Sequence, residues 1–306
     1  MNSVTWVIGA GSIGLFLQYL LQPTVNSLLI ARPASVAALG AQPLTISGAI
    51  VDQLQVNATA QPPKVSQPVT AFIVTKAPAV LPLLHELADY LPPQSQVILC
   101  QNGIGLYDRV CQQYPQWTVL RLACWMGIAR QTLTAIRVAG IFKFELAGDA
   151  RAMAMLQFWQ PVLAQQNIPT TISTDPHYSE WQKALWNITV NGLCAILDAP
   201  NGVILDHPEI MAVAQNIVTE TVAVAASAGI NLTLADQQAV FQSLEKTRQN
   251  INASLQDLRA GRMTEIEFFN GAVVTLARNS GKSAVLNELI VNIIKYLERE
   301  QSRCRR

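Results

Sequence analysis

Two hydrophobic patterns divide the chain. In its first half, short, largely apolar runs at residues 4–8, 27–31, 71–74 and 96–100 predict buried strands of a parallel sheet, which residues 119–124 continue. Between them, residues 12–21 (SIGLFLQYLL), 80–91 and 152–166 carry apolar positions at helical spacing. Residues 43–65 alternate in short runs, LTISG and IVDQLQVNA, that predict hairpin-like strands, and two short strands around Ile136 and Phe144 are expected to close the sheet edge. The composition then changes at residues 168–176, IPTTISTDP. Beyond it the periodicity is helical, over 210–228 (ended by Gly229), 235–258, 265–278 (ended before Gly281) and 286–300. These patterns predict an α/β N-terminal Rossmann-type domain, residues 1–170, followed by an all-α C-terminal domain, residues 171–306.

Residues 181–202, WQKALWNITVNGLCAILDAPNG, break the second pattern by placing polar residues in a run otherwise too apolar for a surface. Lys183, Asn187 and Asn191 recur every four residues, so on a helix they line one face. Asn201 follows Pro200, past the expected helix end. A buried asparagine without a partner costs roughly 1–3 kcal/mol. Two readings stand: the amides line a pocket, or they hydrogen-bond to a neighbouring helix inside the core.

The first strand runs into Gly9-Ala10-Gly11-Ser12-Ile13-Gly14, a G-x-G-x-x-G turn opening a helix. Its glycines suit a tight turn, close approach of backbone to a pyrophosphate, and helix packing on the strand, with phosphate at the helix N-terminus. A glycine-rich turn of this kind can also be purely structural. Arg32 stands at the end of the second strand, where an acidic residue would take a ribose 2′-hydroxyl and an arginine a 2′-phosphate; the competing reading is a solvated residue after a strand. Lys76 and Asn102 follow two further strands, where ligands bind in open α/β sheets, although Asn102-Gly103 is also an ordinary turn signal.

The 306 residues, half of them hydrophobic with 16 Gly and 16 Pro, describe a folded two-domain protein rather than a disordered one. Net charge is +1, with basic residues scattered apart from the terminal SRCRR, which reads as a frayed helix end and not a nucleic-acid footprint. The five cysteines (100, 111, 124, 194 and 304) form no C-x-x-C pair and read as reduced core residues of a cytoplasmic protein. No basic leader precedes the first apolar run, and the longest charge-free stretches, such as 33–51, contain Gly and Pro, which excludes a transmembrane helix there. His85 has no metal-ligating neighbour at helical spacing, and no metal site is expected.

In several stretches the chain resembles the ketopantoate reductase (2-dehydropantoate 2-reductase) family: GAGSIG at 9–14, Lys76 after a strand, QNG at 101–103, WQKALWNITVN at 181–191, PNG at 200–202 and LQDLRAGRMTEIEFFNG at 255–271. The resemblance implies NADPH-dependent reduction of a small branched 2-oxo acid in pantothenate biosynthesis, with an NADP-binding first domain, a helical substrate-binding second domain and the substrate in the cleft between them. It implies Lys183 as proton donor and Glu265 as the carboxylate bordering substrate and cofactor. Asn187, Asn191, Asn201 and Asn250 would contact substrate. Gly9, Ala10, Gly11, Ser12, Ile13, Gly14, Arg32, Lys76, Asn102 and the backbone at Ile128 would form the cofactor shell. Two departures stand out. The family's substrate serine is Ala253 here, with Ser254 one place later, and residues 124–140 lack the histidines and glycines expected around the family's edge strands.

The chemistry is coherent by itself. When hydride comes from a nicotinamide, the protein must orient the ketone and supply a proton, and a lysine ammonium both stabilises the developing alkoxide and donates that proton. The alternative for Glu265 is a first-turn carboxylate favoured by a helix dipole. Reduction of a different 2-oxo acid, or an NADPH-binding regulator without turnover, are the other functions compatible with the turn. Lys183 and Glu265 argue against the regulator, which needs neither.

Overall fold

A computed structural model describes residues 4–303, so Cys304 and the end of the basic tail lie outside the described residues. The chain forms two compact units. The first runs to Gln101 and resumes over Leu106–Ser179; the second takes Asn102–Gly105 and the described chain from Glu180 onward. The boundary expected at 170/171 thus compares with a division at 179/180, inside a helix.

In the first unit the elements are β1 (Thr5–Ile8), α1 (Ser12–Leu21), β2 (Ser27–Ile30), α2 (Pro33–Ala41), β3 (Leu44–Gly48), β4 (Asp52–Leu54), β5 (Ala58–Thr59), β6 (Thr70–Ile73), α3 (Val80–Leu87), β7 (Gln96–Leu99), α4 (Leu106–Gln113), β8 (Thr118–Arg130), β9 (Ala135–Ala147), α5 (Met153–Leu163) and β10 (Thr170–Ser173). One mixed sheet joins the strands in the order β4-β3-β9-β8-β7-β6-β1-β2-β5. Strands β2, β1, β6, β7 and β8 are parallel neighbours, so their carboxyl ends share one edge of the sheet. The apolar runs are strands because both faces are covered: every residue of β1 and β6 is buried. Helix α1 is buried over Gly14–Leu21, as a helix apolar on all sides must be.

Two expectations about the sheet edge need correction. Residues 136 and 144 belong to one strand, β9, not two. Antiparallel to β9, β8 runs on to Arg130 instead of stopping at 124, with irregularities at Trp125/Met126 and Gly127/Ile128. The far edge of β9 is shared by β3 on its first half and β10 on its second, and this keeps so long a strand paired.

The second unit is helical: α6 (Pro176–Ile196, which begins in the first unit), α7 (Val203–Asp206), α8 (Pro208–Ser227), α9 (Leu234–Lys246), α10 (Ala253–Arg259), α11 (Asn270–Asn279) and α12 (Val285–Arg303). The single helix expected over 235–258 is two. Asn252 caps α10 by accepting from the Leu255 N–H, and the carbonyls of Arg248 and Asn250 accept from the N–H groups of Gly202 and Asn201 instead of continuing α9. Similarly, Glu265 does not begin a long helix. It precedes a 3-10 turn, Ile266–Phe268, and Phe269 (ψ −100°) separates that turn from α11.

Buried amides hold the bundle together. Asn270 donates to the Ile188 carbonyl (3.1 Å) and to Asn287 Oδ1 (2.9 Å), while Glu220 of α8 accepts from the N–H groups of Leu286 and Asn287 at the start of α12. By length and composition α8 could cross a membrane, the one such helix among the described residues. Here it packs through Ile217, Val218, Thr221 and Val224, and its Glu220 is tied to α12. Of the cysteines, 100, 124 and 194 are buried, but Cys111 is only half-buried, so it is not the core residue expected. Burial pushes the Cys194 thiol up to about 12.

Candidate functional site

Within the first unit, the predicted turn has the geometry its glycines suggest. Gly9 adopts φ +119° directly after β1, and a Cβ there would meet the Val74 carbonyl at 3.2 Å. A Cβ at Gly14 would fall on the Gly9 carbonyl oxygen, so α1 sits on the strand as closely as a bare backbone allows. Gly11 differs: it is exposed, extended (φ −73°, ψ −178°), and has open space where a Cβ would project. It is the N-cap of α1 without a side-chain cap, and no acidic residue lies in the first turn. The leading N–H groups of α1, around Ser12, Ile13 and Gly14, therefore face an open cradle suited to an anion, with Ala10 half-buried beside it. These residues fit a dinucleotide pyrophosphate.

The neighbouring strand ends supply the other predicted residues. Arg32 is the exposed N-cap of α2, two residues past β2. Lys76 is exposed beyond β6, in a loop anchored by the Gln101 amide, which donates to the carbonyls of Ile73 (2.7 Å) and Thr75 (2.9 Å). Ile128 is half-buried in β8 just past its second irregularity. His85 is exposed on α3, and among the described residues no three His, Cys, Asp or Glu side chains gather as metal ligands do.

In the second unit, Lys183, Asn187 and Asn191 lie along α6 as their spacing predicted. Asn187 Nδ2 donates to the Lys183 carbonyl at 3.4 Å and Asn191 Nδ2 to Asn187 Oδ1 at 3.3 Å. The ladder thus bonds along its own helix, unlike Asn270, which reaches across to α6. Asn191 Oδ1 is buried and has no hydrogen-bond partner among the described residues, a cost that a ligand donor would relieve.

Glu265 and Asn102 are brought to this helix by contacts between distant segments. Ile104 N–H donates to the Phe268 carbonyl at 2.8 Å, Gly105 N–H donates to Glu180 Oε2 at 2.9 Å, and Gly103 (φ +126°) packs its backbone on Phe268. The loop carrying Asn102 is therefore pinned between the turn that starts at Glu265 and the helical turn before Lys183. A Cβ on Gly192 would lie 3.4 Å from Ile266 Cδ1, which puts the turn that follows Glu265 against α6 as well.

Asn201 and Asn250 sit on two facing turns. Asn201 is almost fully buried and accepts from Asn252 Nδ2 at 3.3 Å, while Asn250 is exposed. Sequence reasoning passed over Glu180, Asn252 and Arg130, and met Gln101 only as part of QNG. Glu180 alone had a readable signal, its place one turn before Lys183, and the structure buries it to 2% exposure.

A glycine-built anion cradle in the first unit, and a lysine with two amides along one helix of the second, fit an oxidoreductase of the dinucleotide-binding class. The family profile described as Ketopantoate reductase PanE/ApbA matches residues 5–149, and that described as Ketopantoate reductase PanE/ApbA C terminal matches residues 177–298. The chain belongs to the ketopantoate reductase family, whose members are NADPH-dependent reductases of a 2-oxo acid. It is 28% identical over 299 residues to a 2-dehydropantoate 2-reductase of Pyrococcus abyssi, covering 96% of this chain and 97% of that protein. Its fold matches the PanE/ApbA family ketopantoate reductase of Ralstonia eutropha JMP134 with a TM-score of 0.88 at 22% identity, covering 98% and 99% of the two chains. A D-mandelate dehydrogenase, solved with NADH and anilino(oxo)acetate, matches with a TM-score of 0.87 at 21% identity over the same shares.

Proposed function

We propose that the protein reduces 2-dehydropantoate to pantoate with NADPH, in the cytoplasm, as a step of pantothenate biosynthesis. The observation that carries this reading is the row of Lys183, Asn187 and Asn191 on one helix, with the two amides bonded along that helix and the buried Asn191 Oδ1 without a hydrogen-bond partner among the described residues. In this reading residues 1–170 bind cofactor and residues 171–306 bind substrate. Gly9 to Gly14 hold the pyrophosphate against the α1 N-terminus, and Arg32 takes the 2′-phosphate. Lys76, Asn102 and Ile128 complete the cofactor shell.

When bound, NADPH supplies the hydride. Lys183 sets its ammonium against the ketone oxygen, stabilises the charge that develops there and gives up a proton to it. Asn187, Asn191, Asn201 and Asn250 hold the substrate's hydroxyl and carboxylate, and Asn252 fixes the amide of Asn201 so that its N–H groups face one way. Glu265 borders both ligands.

A second reading keeps the chemistry and changes the acid. Ala253 stands where the family has a substrate serine, and the fold is equally that of the D-mandelate dehydrogenase. NADPH oxidation followed with a panel of 2-oxo acids separates the two: ketopantoate should be turned over with the highest kcat/KM, and a clear preference for another acid would hand the function to the second reading. Lys183→Ala should bind NADPH normally while losing about 10²–10⁴-fold in turnover, the usual range for a positioned acid. Near-normal turnover in that variant would remove Lys183 from the mechanism.

A further inference from the structure

The end of β8 holds a guanidinium that the reaction as described does not use. Arg130 is half-buried, and its Nε donates to the Thr132 carbonyl at 2.9 Å, which fixes the stem of the side chain within the turn that follows β8. Its Nη2 points to Ser35 Oγ at 3.4 Å. Ser35 lies in the first turn of α2, the helix that Arg32 caps, and its own N–H bonds the Arg32 carbonyl at 2.9 Å. The turn beyond Arg130 is fastened to the other end of the same helix by Gln42 Nε2, which donates to Thr134 Oγ1 at 2.7 Å.

Arg130 is thereby held beside the helix end from which Arg32 projects, and burial, with repulsion from Arg32, holds its guanidinium below its usual range. Neither is paired with a carboxylate among the described residues, and the hydroxyl proton of Ser35, 4% exposed, has no acceptor there. Two like charges beside a buried hydroxyl and a helix N-terminus are complementary to a dianion that bridges them.

We propose that Arg130 is a second selectivity determinant for the 2′-phosphate of the cofactor, which Arg32, Arg130 and the Ser35 hydroxyl grip together. This rests on the NADPH reading above and adds to it a residue from a strand far along the sequence. A guanidinium that only staples β8 to α2 would matter equally for both cofactors; one that grips the phosphate matters for NADPH alone.

Calorimetric titration of the full chain with NADPH, NADH and adenosine 2′,5′-bisphosphate tests it without reference to turnover. Arg130→Ala should weaken NADPH and the bisphosphate about 10- to 100-fold, the loss expected for a charge-assisted contact, and leave NADH unchanged. Arg130→Lys, which keeps the charge without the fork, should recover part of the loss and supplies the test should the alanine variant fold poorly. The inference is overturned if the parent chain prefers NADPH and the Arg130 variants keep that preference, or weaken both cofactors alike. If the parent binds NADPH and NADH equally, the cofactor reading fails first and the inference falls with it.

Discussion

Single glycines show how finely the nucleotide turn is built. Gly11 and Gly14 belong to the same motif, yet the space around them is opposite: open at Gly11, filled by the Gly9 carbonyl at Gly14. Substitution should therefore separate binding from folding. Gly11→Ala puts a methyl into the cradle without meeting protein, so stability should shift by no more than about 1 kcal/mol. NADPH affinity should fall about 5- to 150-fold, as a steric cost of ~1–3 kcal/mol against the pyrophosphate implies. Gly14→Ala must push α1 off the strand and should cost ~1–3 kcal/mol of stability or more. Denaturant melts paired with NADPH titration check both. Equal stability of the two variants would mean that close packing at Gly14 does not constrain the fold.

Elements whose causes are local were readable in the sequence, and elements set by a distant partner were not. The β1–α1 turn, the ladder on α6 and the strands that flank β1 follow from runs and spacings within a few residues. The break between α9 and α10 does not, because the carbonyls of residues 248 and 250 find their donors at 201 and 202. The kink after Glu265 likewise depends on Ile104 reaching the Phe268 carbonyl, and the length of β9 depends on β3 and β10 sharing its edge. The same break decides how α10 presents its first turn: Ala253 is exposed and Ser254 buried. A hydroxyl restored at 253 is thus within reach of a ligand, whereas that of Ser254 is not. If the family's serine binds substrate carboxylate, Ala253→Ser should lower KM for ketopantoate about 10- to 100-fold at little change in kcat, the mark of uniform binding. Steady-state kinetics of Ala253→Ser beside Ser254→Ala would decide it, since an effect confined to Ser254 reverses the assignment.

At the scale of the molecule, the chain passes between its two units three times, at 101/102, 105/106 and 179/180, so a single cut after the sequence's change of composition does not isolate the first unit. Residues 171–179 belong to the sheet side. Strand β10 covers the second half of the β9 edge, pairing Thr171 to Ser173 with Glu145 to Ala147. Arg121, 2% exposed, donates to the Pro176 carbonyl at 3.4 Å, and His177 lies edge-on to Tyr107 with ring centres 5.6 Å apart and its Nε2 3.6 Å from Asp108. A fragment ending at residue 170 gives up these contacts, bares a strand edge able to pair with another copy, and takes a carbonyl from a buried guanidinium. A fragment ending at residue 179 keeps them. The two should differ in denaturant stability by roughly 2–4 kcal/mol, the sum of several hydrogen bonds at about 1 kcal/mol each. The shorter fragment should also associate at concentrations where the longer runs as a monomer. Chemical denaturation followed by circular dichroism, with size-exclusion chromatography of both fragments, gives the comparison; matching stability and matching elution would return the boundary to residue 170.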